Sequence, residues 1–374
     1  MQTTLILVGG FLGAGKTPLL AEAARRAAAM GKTVGLITND QVPELVDTAI
    51  LSHAGSNVRE VSGSCFCCNF PGFQAAIASL ASQGAELIIA EPVGSCTDIS
   101  STILQPLKDL FPHYRLAPFS VLVDPDRLTE VLISGGTAIH PDAAYILRLQ
   151  LAEADRIILS KADTLDPARR QQLTAWLETN FPGIPVSCLS AVSGEGVDAW
   201  LDDELNGQEI TGQAVLEIDY DRYATGEAVL GWLNSVVQLQ AAGTPAWTDF
   251  AQRLLVNLQT HLASTRSEIG HVKLILETGD GQVLANLTGL GQAVAVRKEG
   301  NLSRLNAKLT MNARVQTSPD ALEAQFRNAL VQTATSTRTE IQVTALHCIQ
   351  PGRPNPTYRY AEVITPAGAE GLGG

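Results

Sequence analysis

A glycine-rich loop, G-F-L-G-A-G-K-T from Gly10 to Thr17, constrains this 374-residue chain more than any other feature. Leu5 to Val8 is a short apolar run with strand character, and Leu19 to Met30 is an Ala-rich run with helix character. The loop therefore joins a strand to a helix, the setting in which such a sequence cradles nucleotide phosphates. Gly10, Gly13 and Gly15, with Ala14 between them, let the backbone curl until several N–H groups face one anion, and the helix N-terminus favours the same charge. In this reading Lys16 reaches the terminal phosphates and the Thr17 hydroxyl binds Mg²⁺. Pro18 departs from the ideal, because it removes an N–H that such loops aim at the α-phosphate. A charge-assisted hydrogen bond of that kind is worth roughly 1.5 to 3 kcal/mol, so weaker nucleotide binding is expected. Proline in a first helical turn leaves the fold itself intact.

The second constraint is C-F-C-C at Cys65 to Cys68. Near neighbours in sequence rarely bridge one another, and six cysteines in this length are not a disulfide scaffold. The N-terminal apolar run is short and committed to a strand, so no signal peptide is read and a reducing cytoplasm is the expected compartment. There, thiolates at Cys65, Cys67 and Cys68 suit Zn²⁺ or Cu(I), with a fourth ligand or an open position completing the site. A redox thiol cluster and small buried apolar residues are the competing readings.

The length allows about two domains. A net charge of -12 argues against nucleic acid or an anionic membrane as partner. Strand candidates at Leu5 to Val8, Thr33 to Thr38, Leu87 to Ala90, Phe119 to Val123, Arg156 to Leu159 and Val186 to Leu189 alternate with helical patterns. The expected fold is an α/β P-loop domain with a mainly parallel sheet over 1–205, then a linker at 206–212. A smaller α+β domain over 213–364 and a Gly/Ala-rich disordered tail at 365–374 complete the chain.

In such a sheet ligands sit at the carboxyl ends of the strands, and polar residues collect there. Asn39 and Asp40 follow the second strand. Glu91 follows the third, placed to face Mg²⁺ or attacking water. Ser160, Lys161 and Asp163 follow the fifth as S-K-A-D, where a lysine and a carboxylate two residues apart suit guanine. Ser190 and Ala191 follow the sixth.

With these elements in order the chain resembles the CobW-like GTPases, relatives of the accessory GTPases that insert nickel into urease and hydrogenase. The resemblance runs through G-G-F-L-G-A-G-K-T, I-T-N-D-Q with Asp47 beyond it, S-C-F-C-C, I-I-A-E-P-V-G, S-K-A-D and L-S-A-V-S-G-E-G-V. It implies a slow GTPase that cycles between GTP and GDP and acts as a metallochaperone, passing zinc, or cobalt in some relatives, to a client metalloprotein. By position, Thr17 and Asp40 would hold Mg²⁺, Lys16 the terminal phosphates, and Glu91 the water. Lys161 and Asp163 would read guanine. Ser160 stands where the family usually has Asn, Pro18 where it has Thr or Ser, Asp40 where Glu is common, and Ser64 where Gly is common. Assembly as a homo-oligomer is compatible with the sequence.

In the second half, helical spacing is read at Glu227 to Leu239, Trp247 to Leu262 and Pro319 to Gln332. Strands are read at His271 to Glu277 and Gln282 to Leu287 around an Asp280-Gly281 turn, then at Ala293 to Arg297 and Glu340 to His347. Asp219 to Ala228 reads as a helix cap with its approach loop. His53 is a weak candidate for a fourth metal ligand, and His347 with Cys348 for a second site. A small-molecule kinase or a nucleotide-binding metal sensor with little turnover would share some of these motifs.

Overall fold

The computed structural model describes residues 2–41, 46–53, 57–135, 139–207 and 210–365, the side chain of residue 53 excepted. Two compact units emerge, one comprising Met1–Gln41, Leu51–Tyr223 and Pro354–Gly374, the other Val42–Ile50 and Ala224–Arg353. The chain thus crosses between units more often than boundaries at 205 and 213 anticipate. Residues 366–374 of the expected tail lie outside the described residues.

The first unit is an α/β sheet of β1 (Thr4–Gly10), β2 (Val34–Asn39), β3 (Asn57–Val61), β4 (Leu87–Ala90), β5 (Arg115–Leu116), β6 (Ser120–Val123), β7 (Arg156–Leu159) and β8 (Val186–Cys188). Its order is β3-β2-β4-β1-β6-β7-β8, with β5 alongside β1, and every pairing is parallel. All six expected strands are present. The central ones are buried on both faces, as their continuous apolar runs require. β3 and β5 escape sequence reading because N-V-R-E-V is a half-exposed edge strand and β5 is two residues long. Because β4 inserts between β1 and β2, the chain reverses its direction of sheet growth beside the glycine loop, where an open α/β sheet leaves a crevice for ligand.

The second unit is an antiparallel sheet of β9 (Gly231–Ala241), β10 (Ile269–Glu277), β11 (Gly281–Leu287), β12 (Ala295–Gly300), β13 (Asn306–Val315) and β14 (Thr339–Ile349), in the order β12-β11-β10-β13-β9-β14. Helices Trp247–Ser264 and Pro319–Thr337 share one apolar core with it. The expected hairpin closes with Glu277 opposite Gln282. Two corrections arise. Glu227 to Leu239 is not a helix: a helix ends at Ala228 and β9 follows, buried on both faces at Trp232, Leu233, Val236 and Val237, where β-branched residues suit a central strand. β13 went unread because its Thr310, Asn312 and Arg314 are polar yet buried. Arg314 lies 4.4 Å over the Trp232 ring and donates to Asn234 Oδ1 at 3.0 Å. Asp219 does cap the helix Tyr220–Ala228, accepting from the amides of Asp221 and Arg222 at 3.0 and 3.2 Å.

The stretch read as a linker is fastened to the first unit. Buried Asp155 accepts from the amides of Phe119 (2.8 Å), Gly212 (2.6 Å) and Gln213 (2.9 Å) and from the Thr211 hydroxyl (3.2 Å). Lys108 and Gln105 donate to the Gly212 carbonyl at 3.2 and 2.9 Å. Among the described residues, no helix is long and apolar enough to cross a membrane. Asp155→Ala should leave several buried donors unmatched and lower stability by about 3 kcal/mol. Denaturant unfolding checks this, and limited proteolysis should show new cutting near 207–213; an unchanged pattern would mean that Asp155 does not hold the segment.

Candidate functional site

The glycine loop leaves β1 and enters helix Lys16–Ala29, with Gly15 as N-cap. Gly13 and Gly15 take φ of 81° and 91°, in the left-handed region that only glycine enters at no cost. No atom lies within 4 Å of where a Gly15 Cβ would stand, whereas one on Gly10 would meet the Leu122 carbonyl oxygen at 2.4 Å. Gly10 is therefore required by packing on β6, and Gly15 borders open space of the kind a phosphate needs. Ala14 is buried, and its amide donates to the Phe11 carbonyl at 3.1 Å. Lys16 Nζ folds back onto the carbonyls of Gly10 (2.7 Å) and Phe11 (3.4 Å). Pro18 is exposed in the first helical turn, where its missing N–H breaks no helix bond.

Thr17 and Glu91 meet directly. The buried Thr17 hydroxyl lies 3.0 and 3.1 Å from the two Glu91 carboxylate oxygens. Asp40 is buried at the end of β2, its amide bonded to the Val61 carbonyl at 3.2 Å. A hydroxyl facing a carboxylate beside a glycine cradle suits Mg²⁺, which takes oxygen ligands and keeps several waters. Ser160 is buried and turned back onto the Val123 carbonyl at 3.1 Å. Lys161, with φ of 53°, pairs with Asp124 at 2.6 Å, and Asp163 is exposed in the following turn. Ser190 is buried and its hydroxyl accepts from the amides of Val192 and Ser193, while half-buried Ala191 opens the same loop. The Ala162 amide donates to the Leu189 carbonyl at 3.1 Å, so the loops after β7 and β8 are joined.

The cysteine motif forms a tight turn whose thiols converge. Cys65, Cys67 and Cys68 place their sulfurs within 4.8 Å of one another, with Cys65 to Cys67 at 3.0 Å and Cys67 to Cys68 at 3.8 Å, and none is in a disulfide. Hydrogen bonds from Cys67, Cys68 and Cys96 hold the Cys65 thiol well below its usual range, while the bond to Cys65 pushes Cys68 up to about 11. Buried Cys67 is pushed up for the same reason. The cluster thus favours one shared thiolate, and a soft cation would bring the other thiols to ionise.

Asn39, which the sequence reading put at the ligand edge, and two groups that it did not, surround the cysteine motif. Asn39 binds the cysteine turn to the end of β2: its amide donates to the carbonyls of Val61 and Ser64 at 2.9 Å each and its oxygen accepts from the Phe66 amide at 2.8 Å. The chain after Pro354 lies over the motif, with the Asn355 amide donating to Cys68 Sγ at 3.2 Å and the Thr357 amide to the Cys67 carbonyl at 2.8 Å. Residues 97–100 hang on fully buried Glu153, which accepts from the Thr97 hydroxyl (2.8 Å) and the Ser100 amide (3.0 Å). Asn39 was read with Asp40 at the end of the second strand, but nothing local in sequence marks Asn355 or Glu153. His53 lies outside the described side chains. His347 and Cys348 are consecutive on β14 and so face opposite sides of the sheet, which does not make a joint metal site. Asp47 pairs with Lys273 of β10 at 2.8 Å within the second unit.

Residues 4–187 match the family model for the CobW/HypB/UreG nucleotide-binding domain. The zinc chaperone YeiR of Escherichia coli (strain K12) is 28% identical over 183 residues, covering 48% of this chain and 52% of the relative. The chain spans about half the length of this curated relative. Among solved structures, HypB from Helicobacter pylori in complex with nickel aligns with 58% of this chain and 92% of its own, at 15% identity and a TM-score of 0.41. The Zn(II)-bound YjiA GTPase from E. coli aligns with 88% of this chain and 99% of its own, at 17% identity and a TM-score of 0.37. The motifs and the family model over residues 4–187 point to the same family.

Burial pushes the Glu153 carboxyl up to about 8, against the bonds from Ser100 and Thr97 that favour its charged form. A raised folded value means that folding takes up a proton, so this stability is complete below about pH 4.5 and is lost as pH rises to about 8. Urea unfolding across that window should show the decline in the native protein and a flatter profile in Glu153→Gln. Equal slopes would show that Glu153 is charged in the folded state. Pro18→Thr should restore an amide donor and tighten nucleotide binding roughly 10-fold or more; equal dissociation constants by titration calorimetry would contradict this.

Proposed function

We propose that the chain is a GTP-dependent metallochaperone that holds Zn²⁺ on Cys65, Cys67 and Cys68 and couples GTP binding and hydrolysis to transfer of the metal to a client protein. One observation carries the reading. Asn39 ties the cysteine turn to the strand end that also bears Asp40, so a change at the phosphate edge reaches the thiols through three hydrogen bonds. The name of the zinc chaperone relative supports zinc as the cargo.

In this reading the amides of Gly13 to Thr17 and the Lys16 ammonium take the phosphates. Thr17 and Asp40 would hold Mg²⁺, which would supply charge neutralisation to the phosphates when bound. Lys16 must leave the Gly10 and Phe11 carbonyls to reach the phosphates, and Thr17 must turn from Glu91 to the metal. Glu91 would orient water. Lys161 would leave Asp124 and, with Asp163, contact guanine, while Ser160 offers a shorter reach than the usual amide. Together with Pro18, this favours slow turnover and modest nucleotide affinity. The thiols donate to a soft cation, and the half-buried Cys68 is the one from which a client could begin ligand exchange. The client metalloprotein is the expected partner.

Coupling of roughly 1 to 3 kcal/mol would change zinc affinity about 5- to 150-fold between nucleotide states, and linkage requires zinc to change nucleotide affinity by the same factor. Calorimetric titration of Zn²⁺ into reduced protein, alone, with GDP-Mg²⁺ and with a non-hydrolysable GTP analogue, should show that dependence. Nucleotide-independent zinc binding would contradict the coupling, and no zinc binding would contradict the chaperone. Asn39→Ala should retain both ligands but lower the coupling factor.

A further inference from the structure

The thiol cluster has a neighbour from another part of the chain. Cys96 stands in the loop after β4, five residues beyond Glu91. It is 3% exposed, is in no disulfide, and hydrogen-bonds through its side chain with both Cys65 and Cys67. We propose that Cys96 is the fourth thiolate of the Cys65, Cys67 and Cys68 site, which makes it a closed four-sulfur site for zinc. The proposal rests on the zinc-binding reading above and adds to it a ligand and a route to the nucleotide.

The backbone around Cys96 is built to fix that sulfur. Its amide donates to the Val93 carbonyl at 2.9 Å, and its carbonyl accepts from Gln150 Nε2 at 2.7 Å. The same nitrogen donates to the Gly94 carbonyl at 3.0 Å, and Gln150 is 2% exposed. The next amide, that of Thr97, donates to the Tyr223 hydroxyl at 3.2 Å, and the Thr97 hydroxyl to Glu153 at 2.8 Å. Asp98, with φ of 64°, accepts from the Tyr220 hydroxyl at 2.7 Å and from Arg359 Nε at 2.8 Å. A small apolar filler would need no such scaffold, whereas a metal ligand must be held before the metal arrives.

The motif sulfurs lie near the spacing that zinc needs, and Cys96, which stands outside the group of thiols within 4.8 Å of one another, would close on Cys68 as the metal binds. Zinc–thiolate bonds near 2.3 Å place tetrahedral sulfurs about 3.8 Å apart. Cys67 and Cys68 already stand at 3.8 Å. Cys65 and Cys67, now at 3.0 Å, would open by about 0.8 Å, within reach of small side-chain rotations. Two thirds of the way along the loop, a Cβ on Gly94 would stand 2.7 Å from Leu12 Cδ2 and 3.1 Å from Lys16 Nζ. The loop therefore runs from the Glu91 carboxylate, across the glycine loop, to the metal. Zinc bound by Cys96 would tie the loop's far end to the cysteine turn, giving the coupling a second path beside Asn39.

The test is made on the reduced full-length protein with Co²⁺ as the optical probe and Zn²⁺ in competition with a chelator. The native protein should show sulfur-to-cobalt charge transfer of a four-thiolate site, and X-ray absorption of its zinc form should count four sulfur neighbours. Cys96→Ser should lose one thiolate's share of that absorption and bind zinc at least about 10-fold more weakly. Cys188→Ser, a thiol outside the cluster, should match the native protein. Three sulfurs in the native zinc form, or a Cys96→Ser spectrum and zinc affinity equal to native, would overturn the fourth ligand and leave the three-cysteine site standing. Absence of cobalt and zinc binding by the native protein would overturn the zinc reading itself. Circular dichroism of the metal-free variants separates ligand loss from misfolding, and the sulfur count of the native protein decides even if Cys96→Ser does not fold.

Discussion

The carboxamide of Asn39 is the contact on which the arrangement of the first unit's site depends. It is buried, and its three hydrogen bonds reach Val61, Ser64 and Phe66, spanning the end of β3 and the start of the cysteine turn. An amide side chain suits the place because two carbonyls and one N–H must be met at once, a demand that neither a carboxylate nor an alcohol satisfies. Loss of that group would strand three buried backbone partners, each at a cost of roughly 1 to 3 kcal/mol. With Asn39 in place, the cysteine turn is an extension of the β2 strand end rather than an independent loop.

The loop after β4 plays the complementary part. Its first residue, Glu91, faces Thr17, and its middle packs on Leu12 and Lys16. Its end carries Cys96 to the thiols and is pinned by Gln150, Glu153 and Asp98. Strand ends in an open parallel sheet gather ligands because consecutive crossovers leave their loops on one edge. Here two adjacent strands, β2 and β4, each end in a buried carboxylate, Asp40 and Glu91, and each leads on to a segment that carries cysteine. The segment beyond Pro354 closes over the outer side, its backbone amides bonded to Cys68 Sγ and the Cys67 carbonyl.

Much of this was legible in the sequence, for identifiable reasons. The glycine loop and the runs L-I-L-V, L-I-I-A and R-I-I-L announce themselves because a buried parallel strand needs unbroken apolar residues and a phosphate cradle needs glycine. Cys65, Cys67 and Cys68 were legible because three thiols lie within one turn. Cys96 was not, since a lone cysteine carries no spacing signal and its partners are set by tertiary structure. The same holds for Asn355, which lies 287 positions from Cys68. In the second unit, Val229 to Leu239 was misread because a strand buried on both faces has no period that separates it from an apolar helix. Arg314 disguised β13 because its charge is satisfied internally over Trp232. The proposed guanine contacts were legible only as residue types: Lys161 and Asp163 follow β7 as the motif places them, and Lys161 is engaged with Asp124.

The central claim is that the phosphate edge and the thiol cluster move as one body. Hydrogen exchange of the zinc-free, reduced protein tests it most directly, with and without a Mg²⁺-bound GTP analogue, followed over residues 61–70 and 91–100. Nucleotide should alter protection in both segments, although the phosphates are taken by the glycine loop and by neither segment. Protection that changes only over residues 10–20, with both segments unaffected, would contradict the claim.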